Sequence, residues 1–347
     1  MGKKIVLIKD WTIQGDELLE SFRFLETDYG CNLEVVNVQE GYDEDKFQEM
    51  FLKMEKGGPD AIKDEPQLVA SMKNANIVIS HISAVPTTGV NHAENLEAVC
   101  ILRSGVENIN IQNASQKGVK VINTPGRLAV PVSEFTIGLI IAEIKNIARG
   151  DARVKNGDFQ RNFPNKGYCF NLKGKNIGLV GCGAVGSRVA KILDAFEANV
   201  LIYDPYLGED RISSMGYSAV SLNELCERAD IISIHYRLTP ETVGLIGKQQ
   251  FALMKPNCFL INTARAGLVD EEALMDALKN RKIGGAGLDV FHEEPLPKGH
   301  SLLSLDNVTL TPHLAGSCSD IFQVTVDIMA KDLRSFFETG EWINVVN

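Results

Sequence analysis

The sequence has 347 residues, 44% of them apolar and 23% charged, which suits about two globular domains with ample core. Its net charge of −10 argues against nonspecific binding to nucleic acid or to an anionic membrane surface. No apolar run approaches the ~20 residues of a membrane span, Met1-Gly2-Lys3-Lys4 leads into no signal-peptide core or cleavage site, and seven cysteines without a CxxC pair fit a reducing compartment, so a cytoplasmic protein is expected.

In chain order, residues 4–8, 33–38, 77–80, 98–102 and 119–122 read as short apolar strands with amphipathic segments between them. That alternation predicts a parallel sheet covered by helices on both faces. The polar stretch 41–73, with Gly57-Gly58-Pro59 inside it, predicts helices broken by a surface loop, an insertion with no assigned catalytic part. His81 stands just past the 77–80 strand, where it either lines a substrate loop or simply packs.

Thr124-Pro125-Gly126 punctuates the end of this first unit. The apolar pattern of 132–154 then predicts one long helix, buried against a second domain, a second subunit, or both. After a loop at 162–171 comes Ile177-Gly178-Leu179-Val180, then Gly181-Cys182-Gly183-Ala184-Val185-Gly186, a helical run to Phe196, and Val200-Leu201-Ile202-Tyr203 ending in Asp204. Strand, glycine turn, helix, strand and acid form the first half of a dinucleotide-binding unit. Gly181 allows the tight turn, Gly183 lets the backbone approach a pyrophosphate, and Gly186 lets the helix lie close on the strand. The helix N-terminus receives the phosphate charge. A carboxylate at Asp204 accepts from both ribose hydroxyls and repels a 2′-phosphate, which selects NAD over NADP.

Further strands are expected at 230–234, 259–263, 285–290 and 307–310, with a helix at 270–279 that is acidic first and basic last. An amphipathic helix at 319–337 returns to the first domain. The fold class is therefore α/β, with two doubly wound domains joined by two crossovers and a ligand cleft between them. The expected division is residues 1–123 with 318–347 as the substrate domain, and 124–317 as the nucleotide domain.

In such folds chemistry gathers beyond the carboxyl ends of strands. Those positions hold Thr263-Ala264-Arg265, then Phe291-His292-Glu293-Glu294-Pro295, then Thr311-Pro312-His313. Taken singly, each is as readily a surface arginine, a solvated acidic pair or a turn histidine. Their common order and placement bring an arginine, a carboxylate and a histidine to one sheet edge.

These residues carry a resemblance to the D-isomer-specific 2-hydroxyacid dehydrogenases. The matches run through Arg103-Ser104-Gly105-Val106, Asn123-Thr124-Pro125-Gly126, Val132-Ser133-Glu134, the glycine turn with Asp204, Asn262-Thr263-Ala264-Arg265, Asp289-Val290-Phe291 with Glu294-Pro295, and Pro312-His313. The resemblance implies a Rossmann NAD-binding domain inserted into a flavodoxin-like catalytic domain, and a catalytic triad of Arg265, Glu294 and His313. Arg265 would grip a substrate carboxylate with its planar fork and polarise the adjacent 2-oxo group. His313 would move the hydroxyl proton, a task suited to imidazole, while Glu294 orients it and stabilises its charged form. By the same resemblance Gly181, Gly183, Ala184, Val185, Gly186, Asp204, His235, Thr263, Arg265 and Asp289 face the cofactor, Asp289 fixing the nicotinamide amide. The backbone of Ser104, Gly105 and Val106 would hold the substrate carboxylate. A homodimer through the nucleotide domain and its 132–154 helix is implied as well.

Two positions depart from the family pattern. Arg237 replaces the usual proline in His235-Tyr236-Arg237-Leu238-Thr239, where an arginine near the adenine side would favour a 2′-phosphate and NADP; NAD stays the preferred cofactor because Asp204 ends the diagnostic strand itself. Arg127 follows the Pro125-Gly126 pair where many members carry a neutral residue. Arg127 is a candidate for recognising a second anionic or polyhydroxy group of the substrate, against a plain hinge charge. His92, His292 and His300 show no metal-ligand spacing, and no metal is expected. The chain ends soon after Phe337, so feedback through an added C-terminal regulatory domain is not expected. Three functions stay in view: an NAD-dependent dehydrogenase of a small D-2-hydroxy acid, an NAD(H)-sensing co-repressor-like protein without significant turnover, and a relative with other hydride chemistry, such as phosphite oxidation.

Overall fold

Strands covered on both faces read as near-continuous apolar runs, and the central strands of this chain, rich in Val and Ile, follow that pattern. In the computed structural model, which describes residues 2–347, the strands form two parallel sheets belonging to two units. One unit runs to Arg127 and takes in Ser319–Asn347; the other is Leu128–Cys318. Thr124-Pro125-Gly126-Arg127 thus group with the first unit.

The first unit holds β1 (Lys4–Lys9), β2 (Asn32–Asn37), β3 (Ile77–Ser80), β4 (Ala98–Ile101) and β5 (Lys120–Ile122) in the order β2-β1-β3-β4-β5. This is the flavodoxin-like order expected of a doubly wound sheet. Side chains alternate along β1: Ile5 and Leu7 enter one core, Val6 and Ile8 the other. The C-terminal helix Ile321–Thr339 supplies Val326, Met329 and Leu333 to the first of these cores, so the return of the chain to its first domain is realised. Each such buried aliphatic contributes about 1.5–3 kcal/mol by transfer from water. The 41–73 stretch folds as a helix at Glu44–Gly57, a short turn at Pro59–Ala61 and a helix at Pro66–Met72. The first is capped by Asp43, whose side chain accepts from the Lys46 N–H, and buries Phe47, Met50 and Met54.

The second unit holds β6 (Asn176–Val180), β7 (Asn199–Tyr203), β8 (Ser218–Ala219), β9 (Ile231–Ile234), β10 (Phe259–Asn262), β11 (Gly285–Leu288) and β12 (Val308–Leu310), ordered β12-β11-β10-β9-β6-β7-β8. The order reverses between β6 and β9, and that switch point is where such sheets take a dinucleotide. The helix expected over 132–154 is instead two helices, Ala129–Ile144 and Ile147–Lys155. Asn146 between them adopts the left-handed conformation at φ 57°, which asparagine tolerates and which breaks the helical path. Pro131 does not interrupt the first helix because it lies in the opening turn, where no N–H is needed. Ile137, Leu139, Ile140 and Ile144 are buried, whereas the second helix buries nothing and leaves Ile147 and Val154 exposed. Within the single chain, burial is thus confined to the first of the two helices. Among the described residues no helix is long and apolar enough to cross a membrane.

Candidate active site

The glycine turn follows β6 directly. Gly181 sits at φ 95°, and a side chain there would stand 2.8 Å from the His235 carbonyl oxygen. Gly186 lies in the first turn of the helix Ala184–Ala195, where a Cβ would run into the Gly181 carbonyl oxygen. Both glycines are thus required by close backbone approach. Gly183 meets nothing within 4 Å, so its missing side chain leaves the helix entrance open, with the N–H groups of Ala184, Val185 and Gly186 beyond it. An open cradle at a helix N-terminus fits a pyrophosphate.

Asp204 lies at the end of β7 and is locked to this turn. Its Oδ2 accepts the Cys182 N–H at 2.8 Å, and its Oδ1 accepts those of Tyr206 and Leu207 at 3.0 and 3.2 Å. The carboxylate keeps acceptor capacity for a ribose, since it has about four lone-pair positions. Burial and the Asp204 charge push the Cys182 thiol up to about 11, which makes it an inert filler of the turn. His235, after β9, has its Nε2 2.9 Å from the Ser233 hydroxyl, and burial pushes the imidazole down to about 4. It is a neutral wall of the switch point. Thr263 is buried, its hydroxyl 2.8 Å from that of Thr136. Arg237, the first departure from the family pattern, is exposed.

Three strand ends of the same sheet carry the remaining chemistry. After β10, Asn262 accepts the Ala264 N–H and donates to the Arg265 carbonyl, which shapes the loop that presents the exposed Arg265. After β11, Asp289 is completely buried. Its Oδ1 accepts from the Thr311 hydroxyl at 2.6 Å and the Leu314 N–H at 2.8 Å, and its Oδ2 accepts the Ala315 N–H at 2.8 Å. Asp289 therefore staples the loop that follows β12, the loop that carries His313. His313 itself stands at φ 53°, a left-handed conformation uncommon outside glycine, which the loop bonds to Asp289 hold in place.

Glu294 and His313 meet. Nδ1 of His313 lies 2.8 Å from Glu294 Oε2, while Oε1 accepts the Phe291 N–H at 2.9 Å. Burial works against charge on Glu294, but the bonds from His313 and Phe291 and the charges of His313 and Arg265 outweigh it and hold the carboxyl below its ordinary value. An ionised Glu294 fixes the proton on Nδ1 and leaves Nε2 as the working nitrogen. Arg265, Glu294 and His313 thus come together in one unit.

The other candidates lie in the first unit. The Ser104 hydroxyl donates to the Thr124 carbonyl at 3.0 Å, Asn123 donates to the Ser104 carbonyl, and a Cβ on Gly105 would strike the Glu107 carboxylate. Val106 is partly buried against the sheet core. His81 is buried, with Nδ1 3.2 Å from the Thr12 hydroxyl and 3.6 Å from Asp10. Burial pushes it down to about 4 despite Asp10, with Arg127 and Arg103 acting in the same direction. The Arg127 guanidinium donates to the Thr325 hydroxyl at 3.4 Å.

Sequence reasoning gave no role to Asn262, Thr311 or Ser233, although Asn262 lies within a matched motif. It also missed Glu55 and Phe51 of the Glu44–Gly57 helix, which hold Arg103 by an ion pair at 2.8 Å and by a ring face at 5.1 Å. Among the described residues no three His, Cys, Asp or Glu side chains gather as for a metal. His292 and His300 have local partners, the Val269 carbonyl for His292 and the Leu302 N–H and Glu271 for His300.

Residues 137–315 match the family model for the D-isomer specific 2-hydroxyacid dehydrogenase NAD binding domain. The chain is 40% identical over 283 residues to a D-3-phosphoglycerate dehydrogenase of Methanocaldococcus jannaschii, covering 81% of this chain and 53% of that protein. It is 40% identical over 247 residues to a glyoxylate reductase of Thermofilum pendens, covering 70% of this chain and 72% of that one. The chain spans about half the length of the first curated relatives it matches, 53% and 51%. In fold it resembles the NAD-complexed D-isomer specific 2-hydroxyacid dehydrogenase of Lactobacillus delbrueckii, with a TM-score of 0.77, 22% identity, and 99% and 100% of the two chains covered.

Proposed function

The chain belongs to the D-isomer-specific 2-hydroxyacid dehydrogenase family, and from that premise we propose that it interconverts a small D-2-hydroxy acid and its 2-oxo acid with NAD as cofactor. The observation that carries this reading is the 2.8 Å contact of His313 with an ionised Glu294, beside Arg265. When bound, the dinucleotide supplies or accepts the hydride at nicotinamide C4. The open turn at Gly181, Gly183 and Gly186, the free N–H groups of Ala184 and Val185, and Asp204 fit its pyrophosphate and ribose. His235 and Thr263 are assigned to the walls of the same site.

In the reducing direction Arg265 binds the substrate carboxylate bidentately and polarises the 2-oxo oxygen, where negative charge develops. Ser104, Gly105 and Val106 are assigned to the same carboxylate through their backbone. His313, protonated, gives the Nε2 proton to that oxygen; in oxidation the neutral ring takes it back. Glu294 keeps the ring oriented and lowers the cost of its positive charge. Asp289 holds the His313 loop through three donors; its assignment to the nicotinamide amide rests on the family resemblance, since its side chain is completely buried here. Exposed Ile147, Val154 and Phe159 support a homodimer through the Leu128–Cys318 unit. The buried thiols Cys31, Cys100, Cys182, Cys226 and Cys258 suit a reducing, cytoplasmic setting.

The test is a panel of 2-oxo acids offered with NADH and with NADPH, followed by loss of nicotinamide absorbance. Turnover of at least one acid is expected, faster with NADH. Silence across the panel with NADH binding retained would sink the proposal.

A further inference from the structure

Three polar atoms at the two ends of the segment between β4 and residue 127 are buried without a hydrogen-bond partner: one terminal nitrogen of Arg103, the Thr124 hydroxyl and the Arg127 Nε. Arg103 and Thr124 are joined through the backbone, the Thr124 N–H donating to the Arg103 carbonyl at 2.9 Å, and the Arg103 charge acts on Arg127, three residues further on. Buried donors are normally satisfied, so a cluster of three that is not marks a place built for something else. The two guanidiniums differ in how they are held. Arg103 has Glu55 at 2.8 Å, Glu107 at 4.0 Å and the Phe51 ring. Arg127 has no carboxylate within ion-pair distance among the described residues, and its guanidinium donates to the hydroxyl of Thr325 at 3.4 Å. That hydroxyl donates in turn to the Ile321 carbonyl at 2.7 Å, and as a neutral acceptor it cancels none of the Arg127 charge.

We propose that Arg127, with Arg103 and Thr124 beside it, seats a second anionic group, a carboxylate or a phosphate, at the far end of the substrate. The inference rests on the 2-oxo acid reading above and names the substrate class within it. A half-buried guanidinium without a counter-ion is costly, and a planar fork of N–H donors is the geometry that matches an oxyanion. Burial and the Arg103 charge push Arg127 down to about 10, which still leaves it charged at neutral pH. His81 adds no charge, because its imidazole is neutral there. Its proton is directed to Nδ1: the Thr12 hydroxyl donates to Asp10 and so faces His81 as an acceptor. Glu55 and Glu107 answer the charge of Arg103, so the guanidinium left without a carboxylate is that of Arg127, and an anion completes it. Glu55 anchors Arg103 from the Glu44–Gly57 helix.

The test measures kcat/KM with NADH for 3-phosphooxypyruvate and for oxaloacetate, each divided by that for glyoxylate, in the wild type, R127M and R127K. Loss of a charge-assisted bond to the distal group lowers a ratio by at least about tenfold in R127M. R127K, which keeps the charge without the fork, lowers it less. A drop in the phosphate ratio identifies phosphate, and a drop in the oxaloacetate ratio identifies carboxylate; either supports the proposal. Turnover of glyoxylate with both ratios unmoved overturns it while leaving the dehydrogenase reading intact. Should R127M fail to fold, an unmoved ratio in R127K is the overturning result. Should no acid turn over, calorimetric titration of wild type and R127K with inorganic phosphate and with succinate still decides. Weaker binding in R127K supports the site. Equal binding, or none to the wild type, overturns it.

Discussion

His313 illustrates how far a single residue depends on others for its chemistry. Its ring is oriented by Glu294, and its loop is pinned by Asp289 through Thr311, Leu314 and Ala315. H313A is expected to lower turnover by roughly 10²–10⁴-fold, the usual worth of a positioned acid–base group, while NADH affinity measured by fluorescence titration stays. Unchanged turnover removes His313 from the mechanism. E294Q removes the negative partner of the protonated ring, so the pH profile of kcat/KM should move to lower pH. A profile that drops in height without moving would assign Glu294 to packing alone. The same carboxyl has a sign in stability. Because folding lowers its pKa, its contribution is complete above the unfolded value and is lost as pH falls through the folded one.

At the scale of elements, the βαβ turn was legible because each of its demands is local. A positive φ at Gly181 and a tight approach at Gly186 are needs that only glycine meets, and they repeat wherever the motif occurs. G186A should cost about 1–3 kcal/mol in thermal or denaturant unfolding, by forcing a methyl group against the Gly181 carbonyl; a variant as stable as the wild type would contradict the geometry. D204A should narrow the difference between the dissociation constants for NADH and NADPH, and no change would mean that another group reads the ribose. The strands that end before Arg265 and His313 were equally legible, as apolar runs of the expected length. Two features were not. The break at Asn146 depends on one residue turning left-handed between two apolar residues, Ile144 and Ile147, that one continuous helix would also accommodate. The hold of Phe51 and Glu55 on Arg103 joins residues about fifty positions apart, and no periodicity encodes such a pairing.

At the scale of the whole molecule, two histidines tie stability to pH. His81 and His235 are both pushed down to about 4, His81 by burial against the pull of Asp10 and His235 by burial alone. In the unfolded chain an imidazole takes its proton near pH ~6.5. Between these values the unfolded state binds more protons, so stability rises with pH across that window. Unfolding midpoints measured from pH 7 down to pH 4 should fall, and H235Q should flatten the slope; an unaltered slope would mean the ring is wetter than its burial implies. The division into units also sets an order in time. The first unit is not contiguous: Ile5, Leu7 and Phe22 share their core with Val326, Met329 and Leu333. During synthesis from the N-terminus, Leu128–Cys318 can close its own core once it has emerged. The sheet made first must wait, with one face covered only in part by Leu18, Phe22 and Leu25, for the helix made last. A nascent chain stalled before residue 321 would therefore carry a finished nucleotide domain and an unfinished partner, and that half-covered face is where a chaperone would be needed.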